Sequence, residues 1–369
     1  MLRDNVVELA EQCTLGALML APGATTSVRE WLRPEDFADL WHAQVYTAFL
    51  ERHPVGGIDA ESMGDVLVDR LGVRVANLPR VARLIAVTPP HPNPIAYARM
   101  VVEAGLRRQA AGLGLLLQAA AVNAALEHTA RPLTATCSVV DAGLASIENR
   151  WAAATGQPVD DVVVPLHLRA AVRNTGLEAR TAADRYLAAH PARDRDAEQA
   201  HVVTLVGMLI AHPDLVPAVS SWLPVSGIDP LGWRAVYGTT IAMTELGNHV
   251  DLTTVAWSLG ELTHMQPHMP DLTQLRDAVD TGRLAYPPQV VRDVAADQVR
   301  KLADICANHL REAADTPGVL VGDLIDAGRT FTSALRTTAT ALPSQSIATR
   351  DDGRGAGRPT AGHEEVASR

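Results

Sequence analysis

The feature that most constrains this chain is that it repeats itself. Sliding the 369-residue sequence by 191 positions lays "GALMLAPGATTSVREWL" (16–32) over "GMLIAHPDLVPAVSSWL" (207–223). Gly16 falls on Gly207, Pro22 on Pro213, Val28 on Val219, Trp31 on Trp222 and Leu32 on Leu223. Val45 and Tyr46 then fall on Val236 and Tyr237, and one residue of slippage pairs Asp59 with Asp251. The match returns where "IAYARMVVEAGLRRQAAGLGLLLQAA" (95–120) parallels "QVVRDVAADQVRKLADICANHLREAA" (289–314). It returns again where "VVDAG" (139–143) parallels "LIDAG" (324–328). A chain with this pattern is expected to build one supersecondary unit twice, and then to bring the two units together.

The unit reads as helical. Nearly half the residues are apolar but only 4% are aromatic. Ala and Leu supply the apolar content, and both lose little side-chain freedom in a helix. The best strand candidate, "VDDVVVPL" (159–166), stands nearly alone. In the first copy, residues 5–20 space Val6, Leu9, Cys13, Ala17 and Leu20 as a helical stripe that "APG" (21–23) stops. A short helix then ends at Trp31, and "RPEDF" (33–37) turns into "LWHAQVYTAFLER" (40–52), where Trp41, Val45, Ala48 and Phe49 share a face. Asp59 is placed to cap "AESMGDVLVDRL", and "TPPHPNP" (88–94) forbids helix. A long helix from about 95 to 127 and a return helix over 136–154 then form an antiparallel αα-hairpin, matched in the second copy by 289–314 and 320–341. The expectation is an all-α chain of two helical bundles, each followed by a hairpin, with a flexible C-terminal tail. Module 1 spans 1–154, a partly helical linker 155–195 and module 2 196–342; the tail 343–369 lacks apolar periodicity and is expected to be disordered.

Charge narrows the function classes. The net charge is −10, with 31 arginines and a single lysine, Lys301, and residues 196–342 alone carry −8. Such a balance argues against a large phosphate-gripping surface. Cys13, Cys137 and Cys306 are odd in number and far apart, which suits buried thiols rather than disulfides. Acidic residues near the start speak against a secretory leader. The most apolar run, "AAGLGLLLQAAAV" (110–122), is shorter than the roughly 20 residues of a membrane span. These signs together imply a cytoplasmic protein that does not engage membranes.

The stretch "AEQCTLGALML…WLRPEDFADLWHAQVYTAFLE…IDAESMGDVL…IAYARMVVEAGLRRQ" resembles the N-terminal domain of DnaB-type replicative DNA helicases. Residues 9–109 carry most of that family's pattern, and "LRPEDF" (32–37) is its most specific fragment here. The repeat over 197–340 is a weaker match. It keeps Gly207, Trp222 and "VDLTTVA" (250–256), while "LPVSGID" (223–229) replaces the acidic turn. The resemblance implies a helical collar that pairs through its hairpins, orders a hexameric ring and offers a surface to primase. In that family a RecA-like ATPase domain follows the collar.

ATP hydrolysis on that fold requires a G-x-x-x-x-G-K-[ST] loop to cradle phosphates and Mg²⁺. Lys301 lies in "VRKLADI" (299–305), with no glycine loop before it and Leu302 after it. These residues therefore carry no motor, and no cofactor is expected. His264 and His268 stand four apart, which is zinc-ligand spacing, but Pro267 and Pro270 break the helix and no third ligand is evident. Glu35-Asp36 and Asp160-Asp161 read as turn and loop acids rather than as general acid/base pairs.

The functional expectation is a non-enzymatic, replication-associated interaction module that binds a helicase, a primase or itself. A non-motor subunit of a split helicase and a direct DNA-binding protein are the alternatives. Candidate interaction residues lie on the hairpins: Leu113, Leu116, Leu117, Ala120 and Leu144 on the first, Leu302, Ile305, Leu310, Leu324 and Leu335 on the second. Two uncovered hairpins would leave apolar patches that monomers rarely tolerate. They are expected to pair within one chain as a pseudo-dimer, with a homodimer as the competitor. Arg107, Arg108, Arg300 and Lys301 at the hairpin bases are candidate nucleic-acid contacts, set against a reading as solvated faces or interdomain ion pairs that the nearby Glu103 and Asp297 favour, so direct DNA binding is expected to be weak or absent. The most basic stretch, 168–195, carries Arg169, Arg173, Arg180, Arg185, Arg193 and Arg195. Interrupting acids and the lack of a stacking ladder make it a connecting helix rather than a DNA-binding arm.

Overall fold

The computed structural model describes residues 2–52, 60–76, 78–158, 164–173, 175–260 and 268–342. The first bundle comprises α1 (Leu2–Leu20), α2 (Thr25–Val28), α3 (Leu40–Arg52), α4 (Ala60–Leu71), α5 (Val73–Ala76) and α6 (Leu78–Val87). It feeds a hairpin of α7 (Pro94–Leu126) and α8 (Arg131–Thr155), after which come α9 (Leu166–Arg173) and α10 (Leu177–Ala189). The second bundle comprises α11 (Arg195–Ala211), α12 (Val216–Ser220), α13 (Leu231–Glu245), α14 (Leu252–Gly260) and α15 (Leu272–Leu284). Its hairpin is α16 (Pro287–Asp315) and α17 (Val321–Ala339). The chain is all-α, and no strand occurs among the described residues. Asp59, Asp160-Asp161, His264, most of the strand candidate 159–166 and the tail 343–369 lie outside those residues.

Local chemistry sets the helix limits. The Asn93 side chain accepts the Ala96 N–H at 3.1 Å, and Pro94 occupies the first turn of α7, where no N–H is needed. Helix α8 starts at Arg131, earlier than its periodicity suggests, because Pro132 likewise sits in a first turn at no hydrogen-bond cost. It ends where Gly156 adopts φ +72°, a left-handed cap that favours glycine. Along α1 the expected stripe is only part of the pattern. Val6, Leu9 and Leu20 face solvent, while Cys13 through Met19 are buried on all sides because α3, α6 and α7 enclose them.

The two bundles are built around the same contacts. Helix α6 crosses α1 at Gly16, where a Cβ would collide with the Leu84 carbonyl, and α15 crosses α11 at Gly207, where it would collide with the Ala278 carbonyl. Residues preceding Pro22 and Pro213 have nearly one conformation: Ala21 at φ −133°, ψ 70° and His212 at φ −133°, ψ 72°. Trp31 and Trp222 are buried. The Tyr46 hydroxyl donates to the Leu32 carbonyl at 3.4 Å, and the Tyr237 hydroxyl donates to the Leu223 carbonyl at 2.8 Å. Burial pushes both phenols well above their usual range.

The four hairpin helices pack together, α7 on α16 and α8 on α17, and one continuous hydrophobic core runs through them into both bundles. Helix α10 lies on α7, and α9 on α8. Among the described residues α7 is the one single helix long and apolar enough to cross a bilayer, and half of its most apolar window is buried inside the protein.

Candidate functional site: the paired hairpins

Helices α7 and α16 meet antiparallel. Arg107 reaches the Ala314 carbonyl, Gly114 faces Ala307, and Gln118 Nε2 donates to Asp304 Oδ1 at 2.7 Å. As one residue number rises the other falls. A Cβ at Gly114 would stand 3.0 Å from the Ala307 Cα, so the missing side chain lets the two backbones approach. Helices α8 and α17 do the same. Arg336 Nη1 pairs with Asp141 Oδ2 at 2.6 Å, Arg329 Nη2 pairs with Glu148 Oε2 at 2.5 Å, and Gly328 accommodates Leu144. Asp141 also accepts the Thr332 hydroxyl at 2.5 Å.

The candidate residues divide by depth. Leu113, Leu117, Leu144, Leu310, Leu324 and Leu335 are buried. Leu116, Ala120 and Leu302 are half-buried against the core, and Leu116 and Ala120 line a groove towards Ala171 and Tyr186 of the linker helices. Ile305 remains 45% exposed. Cys137 and Cys306 are also buried, and burial pushes their thiols up to about 11 and about 12. At neutral pH they are packing groups, not nucleophiles.

Each of the four basic residues at the hairpin bases reaches a carbonyl within the chain. The Arg107 side chain is buried and pairs with Glu103. It donates to the carbonyls of Ala314 and Thr316 at the end of α16, where the helix dipole favours a cation, and to that of Val319 in the turn that follows. Arg108 donates to the Asp36 carbonyl, and Arg300 to the Pro191 carbonyl at 2.8 Å. Lys301 Nζ reaches the Gly227 carbonyl and Asp229, both at 2.7 Å.

The acidic turn anchors the first bundle to its hairpin, a role that its local sequence does not reveal. Buried Asp36 accepts the Arg33 N–H at 2.7 Å, pairs with Arg150 of α8 and rests on Gly105 of α7, where a Cβ would collide with it. Burial raises its carboxyl pKa, and the Arg150 charge opposes that rise. Beside it, buried Glu11 accepts the Ala38 N–H at 2.5 Å and meets His42 Nδ1 at 2.8 Å. This joint occupies the most specific fragment of the sequence pattern. Residues 4–103 match the family described as the DnaB-like helicase N terminal domain. The match covers the first bundle and the opening turns of α7, and it concerns a non-catalytic part of that helicase. No solved structure matches the chain. Among the described residues, no group of three or more His, Cys, Asp or Glu is arranged to hold a metal ion.

Proposed function

We propose that this protein is a non-enzymatic scaffold of DNA replication in which two helicase N-terminal-like modules, 1–154 and 196–342, stand on one polypeptide and act as a built-in collar dimer. The observation that carries the reading is the antiparallel pairing of the hairpins within one chain. Equivalent helices that meet about a two-fold axis perpendicular to them run antiparallel, as α7 with α16 and α8 with α17 do. The shared glycine crossings, the matched backbone before Pro22 and Pro213 and the matched tyrosine hydrogen bonds support an origin by duplication. The pattern of "LRPEDF" and the family match over 4–103 support a replicative helicase or its primase as partner, in the cytoplasm. The absence of a P-loop from these 369 residues supports a role without ATP turnover.

The test is binding and assembly together. Purified chain should remain monomeric by light scattering across a hundredfold dilution, show no ATPase activity, and form a defined complex with the replicative helicase or primase of its host. Failure to bind either, or a dimer that dissociates on dilution, would overturn the scaffold or the pseudo-dimer respectively. Co-purification of a collarless P-loop polypeptide would instead favour a split helicase. DNA affinity that falls steeply with salt would favour direct DNA binding.

A further inference from the structure

The basic stretch of the linker finds its place on the first module. Helices α9 and α10 fold back over α7 and α8 and close a cavity of about 780 Å³ against the acidic turn. Six arginines line it: Arg33, Arg108, Arg150, Arg169, Arg173 and Arg180. They come from the turn, both hairpin helices and both linker helices, so the fold gathers them from five separate places. Among the described residues Glu35 and Asp36 are the carboxylates in the lining, and Asp36 is already paired with Arg150. Among the described residues the cavity therefore holds four more cations than anions.

The hydrogen bonds do not remove that excess. Arg169 Nε donates to the Val164 carbonyl at 3.1 Å, which satisfies direction but not charge. Arg108 donates to the Asp36 carbonyl, and the Glu11 and Asp36 carboxylates offset part of its charge. Arg180 lies across Gly112, where a Cβ would collide with its guanidinium, and its buried Nε has no hydrogen-bond partner. Burial and the charge of Arg108 depress the pKa of Arg180, and burial likewise depresses Arg33 and Arg108. Mutually repelling, partly desolvated guanidinium groups are relieved by an anion that several of them share.

We infer that this cavity is a binding site for a small, multiply charged phosphate-bearing anion. The planar guanidinium fork matches phosphate oxygens two at a time, which suits arginine here rather than lysine. A surplus of arginines in the described lining favours an anion with more than one negative charge. The volume is that of an ordinary small-ligand pocket, and among the described residues its lining contains no aromatic ring on which a base could stack. The ligand is thus read through its phosphates. Its occupancy would tie α9 and α10 to the first module, because Arg169, Arg173 and Arg180 come from the linker. This site is independent of any helicase or primase partner.

The experiment uses the full chain and inorganic triphosphate in low-salt buffer, followed by calorimetry. Arg169 and Arg173 are exposed on α9, so Arg169→Ala/Arg173→Ala leaves the core intact, which circular dichroism melting checks. The expected result is one-to-one binding that weakens at least tenfold in the double variant. Arg180→Met, which also removes the orphaned Nε, should weaken binding by a similar factor. No binding by the natural chain would overturn the site, as would unchanged affinity in both variants. Equal competition by sulfate at matched ionic strength would reduce it to simple screening. Tighter binding of a 5′-phosphorylated single-stranded oligonucleotide, with a steep salt slope, would replace the small anion by nucleic acid and defeat the inference.

Discussion

The joint between bundle and hairpin rests on a buried carboxylate in the first half of the molecule and on a backbone carbonyl in the second. Asp36 and Arg150 hold the first joint. The sequence registers that align the halves place Gly227 where Asp36 stands and Leu335 where Arg150 stands. There Lys301 Nζ and Gln298 Nε2 donate to the Gly227 carbonyl, at 2.7 and 3.1 Å, and no buried carboxylate is needed. The neighbouring Glu11 and His42 give way to Val202 and Trp233, both buried. A buried ion pair and a packed apolar set are often of similar stability, provided that neither is broken halfway. The fold thus does not demand the ionic joint, and the first half carries it beside the arginine-lined cavity.

The largest expected effect comes from breaking that joint halfway. Arg150→Leu installs the second half's residue but leaves Asp36 buried and unpaired, and removes the hydrogen bonds to the Trp31 carbonyl. Chemical denaturation should register a loss of about 3–5 kcal/mol. Adding Asp36→Gly should recover much of it, since the double variant removes the orphaned buried carboxylate. A single variant as stable as the natural chain would dissolve the contrast between the joints.

Gly16→Ala and Gly207→Ala probe what the halves share. In each a new Cβ meets a backbone carbonyl of the crossing helix, so each should cost about 1–3 kcal/mol by overpacking. Thermal melts that find one tolerated and the other severe would mean that the crossings are not equivalent. The smallest effect belongs to the tyrosines. Tyr237→Phe should cost about 1 kcal/mol and Tyr46→Phe less, because the Tyr237 bond is the shorter. The reverse order in denaturant midpoints would break this last point of the comparison.

Much of the fold was legible because it rests on local signals. Proline, glycine and helical periodicity placed α7 and α16 within two residues of their observed limits, and the 191-residue offset exposed Gly16, Trp31 and Tyr46 alongside their counterparts. The joint was not legible. Glu35-Asp36 looks like the acid pair of any turn, and only the distant Arg150 and Gly105 make Asp36 a buried anchor. Arg107 followed the same pattern, since its carbonyl partners lie more than 200 residues away. The apolar residues of the hairpins were readable as a group, but not which of them would be covered by the opposite hairpin and which by the linker. Gly114 and Gly328 carried the one available sign of close helix approach, a glycine within an otherwise good helix.

The pairing of α7 with α16 also sets a clock on the newborn chain. Thr155, the end of the first hairpin, leaves the ribosome 160 residues before Asp315, the end of α16. At about 5–20 residues per second this leaves roughly 10–30 s in which the first hairpin exists without its mate. During that interval Leu113, Leu117 and Leu144 belong to a surface that the finished molecule hides. A nascent chain stalled at this stage is therefore expected to be a chaperone client, and two such chains on one message have a transient opportunity to exchange hairpins before each closes on itself.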